Sequence, residues 1–190
     1  MLLLETAIKL IDEFGPQGFT VETLLETSRI SKGSLYHHFH DFSDVLEQAQ
    51  VLRFSRTIER DNAAMIETLM ASTSRDDLLE RLVRVVRFSS GVERAQFRSD
   101  RATIVGLSRH SKKFAEALAV EQQRITDSIA DIAREMQERG WVRTDLDPRA
   151  IGTFVQAYTL GYVLNDITQD PVPFDDWVAV LSVVLGSVLV

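Results

Sequence analysis

The chain has 190 residues, 45% of them hydrophobic, enough for one or two domains with a sizeable core. It contains no cysteine, which excludes disulfides and thiolate chemistry. The net charge of −7 argues against an indiscriminate nucleic-acid binder. No N-terminal stretch combines basic residues, an apolar run and a small-residue cleavage site. The longest apolar run, Trp177 to Val190, is broken by Ser182 and Ser187 and falls short of the roughly 20 residues that span a bilayer. A cytoplasmic protein is the expectation.

The periodicity predicts an all-α chain. A first helix is expected from Leu3 to Phe14, with Ala7, Ile8, Ile11 and Phe14 on one face. Gly15-Pro16-Gln17-Gly18 stops it. Thr20 is a good N-cap for a second helix, with Glu22 in its first turn. Arg29-Ile30 forms a turn, and Ser31 caps a third helix to about His38, with Leu35 and Phe39 inward. A long fourth helix is expected from Ser43 or Asp44 to about Met70, and a fifth from Arg75 to about Ser89. A sixth lies near Ala95 to Leu107. Ser111 to Arg139 reads as one helix closed by Gly140. Asp147-Pro148 starts another, expected to run to Thr168. Pro171 and Pro173 precede a last helix, Phe174 to Leu189, whose valines favour strands. Its length, its lack of alternation and Asp175-Asp176 at its start nevertheless read as helix. Apolar nearly all round, it must be buried on more than one side.

The segment Thr20 to Phe39 carries the functional signal. Two short helices joined by a tight turn are how a small domain lays one helix across a DNA backbone and the next into the major groove. Thr20 and the amides behind it can hold a phosphate at a helix N-terminus. Ser31, Lys32 and Ser34 open the second helix of the pair, and Gly33 lets backbone approach DNA closely. Lys32 is the main base-reading candidate, because lysine donates to guanine O6 and N7. Tyr36 and His37 are placed to reach phosphates or a thymine methyl, while His38 faces either DNA or the interior. The surrounding charge is unfavourable: Lys9, Arg29 and Lys32 stand against Glu5, Asp12, Glu13, Glu22, Glu26, Asp41, Asp44 and Glu47. Few cations are available to neutralise phosphates, so weak nonspecific binding with a shallow salt dependence is expected.

With these residues in view, the chain resembles the TetR family of one-component transcriptional regulators. The match runs from Ala7 to Leu46 through Phe14-Gly15, Gly18-Phe19-Thr20-Val21, Leu24 and Ile30-Ser31-Lys32-Gly33-Ser34-Leu35-Tyr36-His37-His38-Phe39. The resemblance implies a three-helix DNA-binding head over residues 1–46 and a helical ligand-binding and dimerisation body over 47–190, dimerising through its last two helices. It also implies that Thr27 and Arg29 lie near the DNA backbone or groove edge, and that the protein is a repressor. Three positions depart from the family pattern. Leu25 stands where alanine is usual, Arg29 where a turn glycine is usual, and Phe42 where a phosphate-contacting lysine is common. A glycine tolerates a left-handed turn; arginine there is strained.

In the body, candidate pocket residues are Phe88, Phe97, Ile104, Phe114, Phe154, Tyr158 and Tyr162, with Asn165 placed to orient a ligand. The expected effector is small and apolar or aromatic. The dimer interface is expected from Ile151, Val155, Tyr158, Val178, Leu181, Val184, Leu185 and Val188 pairing about a two-fold axis as a four-helix bundle. His37, His38, His40 and Asp41 are not read as a metal site, since adjacent helical histidines point apart, and no cofactor is expected. No nucleophile motif or phosphate loop points to an enzyme. The expected partners are operator DNA, a small effector and a second copy of the chain, and not a membrane. The alternative is a helical ligand-binding or protein-interaction protein that keeps the head with weak or lost DNA affinity.

Overall fold

A computed structural model describes the backbone of all 190 residues and every side chain except that of His110. The first three helices, α1 (Leu2–Phe14), α2 (Val21–Ser28) and α3 (Lys32–His38), pack with the start of α4 (Phe42–Met70). Leu3, Ala7, Leu10, Ile11, Phe19, Leu24, Leu35, Val45 and Ala49 close their shared core. Side chains begin three of these helices. The Thr20 hydroxyl accepts the Thr23 N–H at 3.3 Å, Ser31 accepts that of Ser34 at 3.2 Å and Asp41 that of Asp44 at 2.9 Å. Each satisfies an amide that the first turn leaves free. The Asp41 cap sets the start of α4 at Phe42, slightly ahead of the Ser43 or Asp44 expected from sequence.

Helix α4 runs unbroken into the body. There it meets α5 (Arg75–Ser90), α6 (Ala95–Leu107), α7 (Lys112–Glu138), α8 (Pro148–Gly161), the short α9 (Val163–Asp166) and α10 (Phe174–Val188). Single 3₁₀ turns flank α6. Helices α7 and α8 lie close because Gly152 is buried against α7: a Cβ there would sit 3.1 Å from the Thr126 carbonyl oxygen. The chain end is tied back by backbone bonds from Arg143 to Val188 and from Val190 to Trp141, both 3.0 Å, around an isolated bridge between Val142 and Leu189. No described helix is long and apolar enough to cross a membrane.

One expected element is divided. The helix predicted from Pro148 to Thr168 ends at Gly161, and α9 finishes at Asp166. Two side-chain ties hold this corner. The Asn165 amide grips the following loop, accepting the Val172 N–H at 2.7 Å and donating to its carbonyl at 3.2 Å. Asp166 is held by Arg98 of α6 through two bonds of 2.7 Å. Neither tie is local in sequence, so periodicity could not reveal the stop.

Candidate nucleic-acid interface and ligand cavity

The head divides α3 into two sides. Leu35 is 1% exposed and seals the core, while Ser31, Lys32, Gly33, Ser34, Tyr36, His37 and His38 are all exposed, as are Thr20, Thr27 and Arg29. The ten sequence-predicted contact residues therefore share the solvent side of the α2–α3 unit, and the open alternative for His38 resolves to the outside. Lys32 Nζ lies 6.0 Å from the centre of the Tyr36 ring, and His37 and His38 meet edge to face at 4.9 Å. A Cβ at Gly33 would meet nothing within 4 Å, so the fold itself does not demand glycine there. Among the described residues, no group of three metal-ligating side chains converges.

Arg29 is the one described non-glycine residue with positive φ, at φ 56° and ψ 30°. The turn keeps the left-handed geometry that glycine adopts freely, and an L side chain costs roughly 1–2 kcal/mol there. Phe42, in place of a phosphate-binding lysine, packs edge to face on Phe19 at 5.8 Å. That position has exchanged a cation for core contact. The acidic surroundings also reach the reading helix. The Glu22 carboxyl is held below its ordinary value by its own backbone N–H, then by the Thr20 hydroxyl, with Lys32 also contributing.

The head is braced against the body by charge. Arg53 of α4 bridges Asp12 of α1 at 2.6 Å and Asp100 of α6 at 2.8 Å. Arg56 holds Glu5 through bonds of 2.5 and 2.7 Å. Burial pushes the Asp44 carboxyl up, but hydrogen bonds from Lys113, Gln48 and the His40 N–H outweigh it and hold the group below its ordinary value.

The body contains two adjoining cavities. A chamber of about 270 Å³ between α5, α7, α8 and α10 is lined almost wholly by apolar side chains, among them Leu82, Met136, Phe154 and Leu185. A second, of about 410 Å³, lies between α4, α5, α6, α7 and α8 and includes Asn62, Phe88, Arg94, Phe97, Arg101 and Gln156. The two share Met65, Val85, Ile129, Val155 and Tyr158 as walls. Burial pushes the Tyr158 phenol up to about 12, so it stays neutral.

Of the sequence-predicted pocket residues, Phe88, Phe97, Phe154 and Tyr158 line these cavities. Four do not. Ile104 and Phe114 are fixed in the core with Phe54 and Leu118. Tyr162 is buried, with its ring 5.0 Å from that of Trp177 and Arg98 over its face. Asn165 is occupied by the Val172 loop and by the Tyr162 hydroxyl. Sequence reasoning nominated mainly aromatic side chains and named none of the cavity's arginines, Arg84, Arg94 and Arg101.

Of the expected interface residues, three face inward and five are half-buried. Val178, Leu181 and Leu185 are buried within the protomer against Val86 of α5. Ile151 and Val188 pack beside Leu78 and Ile132, Val155 beside Phe54, and Tyr158 beside Val86. Val184 is half-buried. The outward face of α10 carries Val180, 57% exposed, and Val183, 75% exposed; α8 and α9 present Phe154, Ala157 and Leu164. The reason is register: α10 is apolar all round, and its packing on α5 decides which stripe faces in.

Comparison with known proteins agrees with this architecture. Residues 3–49 match the model of "Bacterial regulatory proteins, tetR family". The HTH-type transcriptional repressor AcnR of Corynebacterium diphtheriae is 24% identical over 162 residues, covering 85% of this chain and 77% of that protein. A TetR-family regulator from Pectobacterium atrosepticum superposes with a TM-score of 0.69 at 19% identity, covering 99% of this chain and 92% of its own. One from Cytophaga hutchinsonii gives 0.69 at 14% identity, covering 100% and 94%. Head sequence and whole-chain fold converge on one likeness: residues 3–49 match the TetR-family model, and the whole chain shares the fold of TetR-family regulators.

Proposed function

We propose that this protein is a homodimeric repressor that binds a palindromic DNA operator and is released by a small molecule held in the body. The observation that carries the reading is the two-sided α3: Lys32, Ser34, Tyr36 and His37 project outward while Leu35 anchors the helix from within. Such a helix can enter a major groove, with phosphate contacts setting its register and Lys32 reading a base. The relative in C. diphtheriae is a repressor, which supports repression over activation. The outward apolar stripes of α8 and α10 suit a two-fold four-helix interface, which would present two α3 helices to successive half-sites.

A route for release runs through α6. This helix carries Phe97 and Arg101 on the cavity and, between them in sequence, Asp100, which holds Arg53 and through it Asp12 of the head. A ligand that favours one position of α6 thereby biases the head, provided its affinity differs between the two positions.

Selection from random duplex DNA followed by anisotropy titration tests the reading. The wild type should enrich a palindrome. Lys32→Ala should weaken that site by about 10- to 100-fold, as expected for loss of one base-reading contact. A wild type that enriches no sequence sinks the proposal. That outcome favours the second reading, a ligand-binding protein with lost DNA affinity, for which the acidic head, with three cations against eight carboxylates in its first fifty residues, is the motivating observation.

A further inference from the structure

We propose that the paired cavities of the body form a receptor for amphipathic monocarboxylates, with Arg101 as the anchor for the carboxylate and the apolar chamber as the seat of the hydrocarbon. This rests on reading the body as the effector domain and names the chemistry it takes.

Arg101 is a buried cation without a counter-charge. Its residue is 6% exposed, and its one hydrogen bond among the described residues runs from Nη2 to the neutral Gln156 Oε1 at 3.3 Å. That oxygen already accepts from Gln122. Gln156 is fixed in turn, because its Nε2 donates to Thr126 Oγ1 at 2.9 Å and to the Gly152 carbonyl at 3.3 Å. Arg101 Nε is buried with no partner. Burial lowers the Arg101 pKa, but guanidinium starts so high that it stays charged near neutrality.

The rest of the site is consistent with one missing negative charge. Asp61, the acidic residue of the cavity lining, is already committed to Arg94 and Arg60. Arg84 lies exposed on the cavity lining and adds a further cation. Besides Arg101, the buried atoms without partners include Asn62 Oδ1 and Arg94 Nε, and both residues line the same cavity. The Asn62 Nδ2 donates to the Ser128 hydroxyl at 2.8 Å. A hydroxyl accepts or donates, so the Asn62 amide can present either atom to a ligand. A carboxylate matches the planar guanidinium fork and neutralises one charge. Beyond it, Phe97, Ile125, Ile129 and Val155 lead to the almost wholly apolar chamber. A charged head followed by a hydrocarbon body fits that gradient; a wholly apolar molecule would leave Arg101 unpaired.

Arg98, one turn earlier on α6, shows what a structural arginine looks like in this protein. It is 1% exposed and completely engaged, by Asp166 through two bonds and by the Ser89 and Gly91 carbonyls at 2.7 and 3.0 Å. Arg101 has the burial without the partners.

Isothermal titration of the full chain with decanoate and 2-naphthoate, against decanol, 2-naphthol and decyl phosphate, tests the proposal. At least one acid should bind about ten- to a hundredfold tighter than its alcohol, the range of one charge-assisted hydrogen-bonded contact. Arg101→Met should erase that preference while leaving alcohol affinity within a few-fold. It should not lower the unliganded Tm, since it removes an unpaired buried charge. Arg101→Lys should keep part of the preference and serves as the variant of choice if the methionine form fails to fold. Absence of binding by both acids, a preference that survives Arg101→Met, or decyl phosphate binding tighter than decanoate would overturn the assignment. The DNA selection is read separately. Arg101-dependent acid binding by a protein that selects no DNA upholds this inference and removes the regulatory reading; operator binding without acid preference does the reverse.

Discussion

The head and the body place their functional groups on opposite sides of their surfaces. In the head, Leu35, Leu24 and Ala7 fill a dry core, and the candidate contact residues all lie outside. In the body, the outside is charged helix apart from the apolar stripe of α8 to α10, and the unusual polar chemistry is inside. The four described buried side-chain atoms without partners, on Asn62, Ser72, Arg94 and Arg101, all belong to the body, and three of their residues line one cavity. A surface that reads DNA can be built on a fully satisfied core. A cavity that receives a ligand must leave groups unsatisfied until the ligand arrives, at a cost in stability.

The largest effect that sharpens this contrast is expected at Arg98. Its guanidinium joins α5, α6 and α9, so Arg98→Leu strands Asp166 and the carbonyls of Ser89 and Gly91. A loss of about 3–5 kcal/mol is expected in chemical denaturation, against no loss for Arg101→Met. Equal destabilisation by the two substitutions would break the distinction between the structural and the receptive arginine.

Next comes the outward stripe of α10. Val180→Glu with Val183→Glu should leave the helical circular-dichroism signal intact, convert dimers to monomers in light scattering and abolish operator binding. Leu181→Glu with Leu185→Glu, in the neighbouring stripe, should unfold the body instead, because those side chains are buried against α5. Double variants with the opposite outcomes would reverse the assignment of faces.

The smallest effect is expected in the head, at Arg29. Arg29→Gly relieves the left-handed strain but adds freedom to the unfolded chain. A net stabilisation below about 1 kcal/mol is expected, read as a small rise in Tm, together with weaker operator binding through loss of a cation. A fall in Tm would show that the arginine side chain contributes more than its backbone costs.

Much of the head was legible in the sequence because its determinants are local. A cap three residues ahead of the amide it satisfies and a Leu35–Phe39 spacing are contained within a few positions, while the glycine expected where Arg29 stands came from the family resemblance. The body was legible only as a succession of helices. The stop at Gly161 depends on Arg98 and on a loop seven residues beyond Asn165. The cavity depends on a charge, Arg101, that the sequence reading did not single out. Phe88, Phe97, Phe154 and Tyr158 were identified because aromatic side chains stand out; Ile104 and Phe114 stand out equally and are core.

Sequence alone determined the helical class and the short capped helix that exposes Lys32 and Tyr36, since hydrogen bonding and dihedral sterics act between near neighbours. Only the tertiary structure decided which stripe of α10 is buried and which of two arginines one turn apart finds a partner. An apolar helix has no preferred face, and a buried charge no preferred partner, until other helices supply them.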